Sequence, residues 1–171
     1  MTIFTEIKND HQAIKDLFNT LRHTSGRARE STFSRLRNLI EAHSRSEEDI
    51  LYRNLVQHRD ARSLVLENYE EHHLVDLLLK ELSQLSTQDD RWEPKLEVLR
   101  EALEAHIKEE EHSLFKRAKK RLHNEQTLKE MGQQFRQLVN ERLDHEVPSI
   151  HSHSDLPLNQ IAAHSPVSQN A

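Results

Sequence analysis

The sequence lacks cysteine altogether and has only two glycines, four prolines and 5% aromatic residues. The absence of cysteine excludes disulfides, zinc–thiolate sites, cysteine-ligated iron–sulfur clusters and thiol catalysis. Sheets need turn glycines and aromatic strand residues, so the scarcity of both favours long helices. No apolar run approaches the roughly 18 residues of a membrane span, and the N-terminal stretch "MTIFTEIKNDHQ" has no apolar signal-peptide core. We therefore expect a cytoplasmic protein.

Charged residues are abundant, at 31% of the chain, and the formal net charge is -5. Acidic and basic residues are interspersed along the sequence, and no basic stripe indicates nucleic-acid binding. We therefore predict neither nucleic acid nor a membrane as a partner, while the oligomeric state stays open. A chain of 171 residues is long enough to bury the core of one domain.

Apolar residues recur at helical spacing in five segments, at about residues 3–23, 31–57, 61–85, 91–122 and, more weakly, 125–143. Ser31 is a plausible N-cap of the second segment, and Pro94 fits only the first turn of the fourth. The short connections predict an all-α fold, an antiparallel up-down-up-down four-helix bundle with an additional C-terminal helix outside it or capping one end. The predicted domain covers residues 1–146, followed by a Pro/Ser/His-rich C-terminal tail over 147–171.

The two halves of the predicted bundle resemble each other. "HSRSEEDILYRNL" from His43 and "HIKEEEHSLFKRA" from His106 share His, Glu, Glu, Leu and an aromatic residue at matching positions. "DHQAIKDLF" aligns with "EHHLVDLLL" in the same way, which pairs His11 with His72 rather than with His73. The domain is thus predicted to be a duplicated helical hairpin, in which each half supplies matching residues around a pseudo-two-fold axis.

Polar residues interrupt the apolar face of each of the four main helices. Residues four apart share a helix face, so His43 pairs with Glu47 and His106 with Glu110. Burying a carboxylate costs several kcal/mol unless a cation or a hydrogen bond compensates it. One such pair is a weak signal, but two in matching positions predict a metal site. The candidate ligands are His11, His43, Glu47, His72, His106 and Glu110.

The composition of this ligand set indicates the metal. Six ligands exceed the four of a structural zinc site, and mixed imidazole and carboxylate donors suit iron or manganese better than calcium or magnesium. We predict two non-haem iron ions joined by an oxo or hydroxo bridge and by both glutamates, with manganese or zinc as possible substitutes. That arrangement leaves about two coordination positions open for solvent or a small ligand.

The remaining nine histidines are interpreted as surface or tail residues rather than ligands. They are His23, His58, His73, His112, His123, His145, His151, His153 and His164. The pattern also excludes a ferritin-like ligand set, because such sites use Glu-x-x-His on two helices and a lone Glu on each of the others. Here the pattern is reversed, with His-x-x-x-Glu on two helices and a lone His on each of the others.

This pattern resembles the hemerythrin-like family, also called HHE cation-binding domains, over about residues 3–120. The resemblance implies an antiparallel four-helix bundle holding a non-haem diiron centre that handles oxygen or related molecules. Oxygen-carrying hemerythrins place a fifth histidine four residues after the third-helix ligand, where this chain has Asp76. Four histidines and two glutamates are instead similar to HHE proteins of iron sensing or iron–sulfur cluster repair. The repair proteins usually carry a cysteine-containing N-terminal extension, which this sequence lacks.

The function we expect is binding, sensing or scavenging of oxygen, nitric oxide or peroxide at open iron positions. The alternatives are a diiron enzyme that reduces nitric oxide or peroxide, an iron-sensing or cluster-repair protein, and a structural bundle with incidental metal. An enzyme needs a proton route, for which Tyr52 and Tyr69 are candidates by position. Plain core packing is the alternative interpretation of both tyrosines.

Overall fold

The computed structural model describes residues 1–145, which form five helices and no strand. The long second and fourth helices each contain a π-helical turn. The elements are α1 (Ile3–Arg22), α2 (Gly26–Glu47, a π turn Glu48–Tyr52 and Arg53–Leu55), α3 (Arg62–Ser83), α4 (Trp92–Glu109, a π turn Glu110–Leu114 and Phe115–Arg121) and α5 (Glu125–Asp144). The predicted all-α class is confirmed, whereas the predicted tail over 147–171 lies outside the described residues.

The start of α2 differs from the prediction. The helix begins at Gly26, and Ser31 lies inside it rather than capping it. Gly26 has a φ of 53°, a conformation that glycine adopts at little cost. The following "RARE" residues are good or adequate helix formers, and the Thr32 hydroxyl donates to the Ala28 carbonyl at 2.8 Å. The Ser-Thr pair is therefore accommodated within the helix.

Two separate apolar clusters build the core, and each helix of the predicted bundle contributes to both. The first cluster contains, among others, Ile3, Phe4, Ile7, Leu51, Leu55, Val65, Leu114 and Phe115. The second contains, among others, Ile14, Phe18, Leu36, Ile40, Val75, Leu79, Leu99 and Leu103. The candidate ligands fall between these two groups along every helix, so a polar layer replaces one layer of the core.

The fifth helix packs along α1 and α2. Its buried side chains Met131, Phe135 and Val139 join the first apolar cluster. At Gly132 a Cβ atom would stand only 2.6 Å from the Met1 carbonyl oxygen. Glycine is therefore required where α5 approaches the N-terminal backbone, and this close contact fixes the helix against α1.

Within residues 1–145, no helix combines the length and apolarity that crossing a membrane demands. Among the first four helices, the most extensive contacts are those of α1 with α2 and of α3 with α4, the two hairpins that the sequence repeat predicts.

Candidate metal centre

The structure brings all six predicted ligands into one buried layer. They come from α1, α2, α3 and α4, and none is more than 3% exposed. The set comprises His11, His43, Glu47, His72, His106 and Glu110. Two carboxylates and four imidazoles thus lie together in a region from which solvent is excluded.

The four imidazoles form two pairs. The ring centres of His11 and His43 lie 5.0 Å apart, and those of His72 and His106 lie 4.8 Å apart. In the second pair the two Nε2 atoms are only 3.2 Å from each other. Each pair joins residues from consecutive helices, so each sequence hairpin contributes one imidazole pair.

The two glutamates lie beside the Nε2 atoms of these imidazole pairs. Oε2 of Glu47 lies 3.7 Å from Nε2 of His43 and 3.6 Å from Nε2 of His72. Oε2 of Glu110 lies 3.3 Å from Nε2 of His11. One carboxylate therefore reaches a histidine of both pairs, an arrangement suited to two neighbouring cations.

Every histidine of the layer directs its other nitrogen, Nδ1, at a carboxylate. The contacts are His11 to Glu111 at 2.9 Å, His43 to Asp10 at 3.5 Å, His72 to Glu48 at 2.9 Å and His106 to Glu71 at 2.7 Å. A carboxylate at Nδ1 holds the proton there and leaves the Nε2 lone pair for a metal.

These four carboxylates were not predicted from the sequence, although the repeat contains a signal for them. Asp10 and Glu71 precede the matched histidines of α1 and α3, and Glu48 and Glu111 follow the matched glutamates. Each of these carboxylates contacts a histidine on a different helix, and the two halves of the sequence repeat the same pattern of contacts. The supporting carboxylates therefore share the pseudo-two-fold relation of the ligands.

The two buried glutamates influence each other's protonation. Burial, together with the negative charge of Glu110, raises the pKa of Glu47 well above its ordinary value. Burial also works against ionisation of Glu110, but the neighbouring His11, Glu47 and His106 together outweigh it and lower the pKa of Glu110. Without a metal, the proton of the pair therefore resides on Glu47.

Several buried polar atoms of the layer have no hydrogen-bond partner. They include Nε2 of His11, Oε1 of Glu47 and Oε2 of Glu110, and also Nδ1 of His43 and Oδ2 of Asp10, which form an ion-pair contact at 3.5 Å but no hydrogen bond. With the proton held on Nδ1, the Nε2 atoms of His72 and His106 face each other as two lone pairs. Unpaired acceptors and opposed lone pairs are costly in a dry interior, and a cation compensates both. The donor set therefore fits a metal centre.

A model of the hemerythrin HHE cation binding domain matches residues 2–118. The chain belongs to this family. A crystal structure of a hemerythrin HHE cation binding domain-containing protein from Mycobacterium kansasii matches with a TM-score of 0.75 and 20% identity, covering 85% of this chain and 89% of that chain. At this identity the match shows a common helical fold. The comparison with curated proteins found no match.

In the third helix of this HHE domain, two positions bear on the predicted ligand set, the adjacent His72 and His73 and the nearby Asp76. His72 is buried whereas His73 is half-buried, as the hairpin alignment predicts. Asp76, at the position of the fifth histidine of oxygen-carrying hemerythrins, lies 2.6 Å from the guanidinium of Arg45. This contact joins α3 to α2 beside the ligand layer.

Tyr52 enters the centre of the HHE site because of the π turn in α2. In an α-helix, residues five apart point in different directions, since each residue turns by about 100°. The wider π turn brings Tyr52 back over Glu47, with its hydroxyl 3.1 Å from Oε2. The same hydroxyl lies 3.4 Å from Glu110 Oε1 and 3.4 Å from His72 Nε2. π turns are frequently found at functional sites, and of the two within residues 1–145 one directly follows Glu47 and the other begins at Glu110.

Proposed function

We propose that the HHE domain binds two iron ions through the six buried ligands and uses them to bind, sense or scavenge oxygen, nitric oxide or peroxide. The observation that carries this proposal is the paired arrangement of the ligands, two imidazole pairs with Glu47 reaching a histidine of each pair and Glu110 beside His11. Short connections and hairpin contacts support an up-down-up-down arrangement of α1 to α4 around the layer.

The chain's own side chains define what the site can do. Bound iron would supply a Lewis acid and a one-electron redox centre for a small ligand. The two apolar clusters exclude water from both sides of the layer, which strengthens electrostatic interactions within it. The four supporting carboxylates orient the imidazoles and increase their basicity. Cytoplasmic location and the absence of nucleic-acid or membrane partners remain part of the proposal.

Tyr52 supports the alternative of an enzyme that reduces peroxide or nitric oxide. Both reductions consume protons, and the Tyr52 hydroxyl holds one beside both glutamates. Burial and the charges of Glu110 and Glu47 raise the pKa of Tyr52, so the phenol stays protonated. Tyr69 contacts the Tyr52 ring at 5.3 Å and is half-buried, which places a second phenol between the site and the surface. Iron sensing and iron–sulfur cluster repair remain alternative uses of the same centre.

We expect protein from iron-replete cells to contain about two irons per chain, because six ligands and two shared carboxylates suit two ions. Oxidation should produce the charge-transfer absorption of an oxo-bridged iron pair. Elemental analysis and absorption spectra under air and under nitrogen measure both. One tightly held zinc, with no iron after reconstitution, would contradict the proposal.

Metal loading should release protons in a pH-dependent manner. Below the raised pKa of Glu47, the metal-free protein carries a proton on this side chain, and a metal ion displaces it. The release from Glu47 should be about one proton and should disappear as the pH rises through that raised pKa. Calorimetry in buffers of different ionisation enthalpy measures it. Metal loading without proton release at a pH below that pKa would show that Glu47 is already ionised in the metal-free protein.

A further inference from the structure

Arg136 on α5 is bound to two acidic residues of α1. Its Nε donates to Oε2 of Glu6 at 3.0 Å, and its Nη2 donates to Oδ1 of Asp10 at 2.7 Å. Nη2 also lies 3.2 Å from the backbone carbonyl oxygen of Glu6. Asp10 is only 4% exposed, so this guanidinium is a major compensation for its buried charge.

The second carboxylate oxygen of Asp10 faces the metal site. Oδ1 faces Arg136, whereas Oδ2 lies 3.5 Å from Nδ1 of the candidate ligand His43. Phe135, the neighbour of Arg136 on α5, packs its ring edge-to-face against the His43 imidazole at 5.8 Å. The fifth helix therefore reaches His43 in two ways, through a carboxylate and through an aromatic contact.

We propose that α5 is a functional part of the metal centre, with Arg136 as a positioning residue that holds Asp10 and thereby orients His43. This inference rests on the proposed metal-binding function. The family model ends at residue 118, before α5 begins at Glu125, so the model itself does not include this helix. Asp10 is unlike the supports Glu48 and Glu111, whose cations Arg45 and Lys8 belong to the first four helices.

A second arginine of α5 provides a matched control. Arg142 also ties α5 to α2, through Asp49 at 2.6 Å and the Ser46 hydroxyl at 2.8 Å. Within residues 1–145, neither the Asp49 carboxylate nor the Ser46 hydroxyl forms a side-chain hydrogen bond or ion pair with a candidate ligand. Replacing Arg142 therefore weakens the docking of α5 without releasing the support of His43.

The test compares Arg136→Met with Arg142→Met, and Asp10→Asn with the double variant Arg136→Met/Asp10→Asn. Iron(II) affinity is measured under nitrogen by competition with a chelator, and circular dichroism with thermal melting reports folding. The ¹⁵N signals of the His43 imidazole are recorded by NMR in the metal-free protein. This last measurement reports the orientation and proton position of His43 independently of metal binding.

We expect Arg136→Met to weaken iron binding about tenfold or more, the range found for residues that support metal ligands. It should also shift the His43 signals, whereas Arg142→Met changes affinity by at most about twofold. The double variant should bind iron no more weakly than Asp10→Asn, because both changes remove one support. Equal effects of the two arginine variants, or additive losses in the double variant, would overturn the proposal. A different result would separate the two proposals. If the wild-type protein bound no iron but Arg136→Met still shifted the His43 signals, the proposed function would be refuted and the positioning role would stand.

Discussion

Glu47→Ala and Glu110→Ala should each eliminate binding of both metal ions while leaving a folded helical protein. Both side chains are fully buried, and each substitution removes a carboxylate that faces the Nε2 atom of a histidine. The two apolar clusters on either side of the layer remain intact, so the helices should persist. Because a metal stabilises only the state that binds it, the melting temperature should fall to near that of the metal-free wild type. Elemental analysis and circular dichroism measure these outcomes.

Glu41→Ala is the matched control for these variants. Glu41 is also a buried glutamate of α2, at 5% exposure, but it lies outside the ligand layer. Burial raises its pKa, so its removal also eliminates a buried carboxyl group. The Glu41→Ala protein should retain about two irons. Two irons in either ligand variant would show that the two glutamates are not shared between the metal ions.

His72→Ala should lose iron, and His73→Ala should keep it. Adjacent residues on a helix point about 100° apart, so only one of the two can face the site. Nε2 of His72 lies 3.2 Å from that of His106, and its Nδ1 contacts Glu48 at 2.9 Å. Loss of this imidazole leaves one pair incomplete and the Glu48 carboxylate without its ring partner. Iron content and visible spectra of the two variants, purified side by side, give the comparison.

The same pair of variants is its own control, because both replace a histidine by alanine at consecutive positions of α3. A protein that keeps iron as His72→Ala and loses it as His73→Ala would require a different inward face for α3. Loss of iron in both variants, together with a loss of helical circular dichroism, would indicate a folding defect in place of a ligand role.

The sequence by itself determined the helical class, the family resemblance and the placement of the six candidate ligands in one layer. These features depend on local regularities. The helical period places His43 and Glu47 on one face, and the cost of burying charge makes such a pair informative. The internal repeat then selected His72 over His73, and the structure buries His72.

Only the tertiary structure decided how the layer is supported. Tyr52 is a proton-route candidate from the sequence, but no residue type indicates a π turn, so the contact of its hydroxyl with Glu47 could not be predicted. Likewise, the contacts from Asp10 to His43 and from Arg136 to Asp10 join three different helices. Such contacts depend on how neighbouring helices are rotated and spaced, which sequence periodicity does not specify. Periodicity determines which face of each helix is inward, and packing determines which side chains meet there.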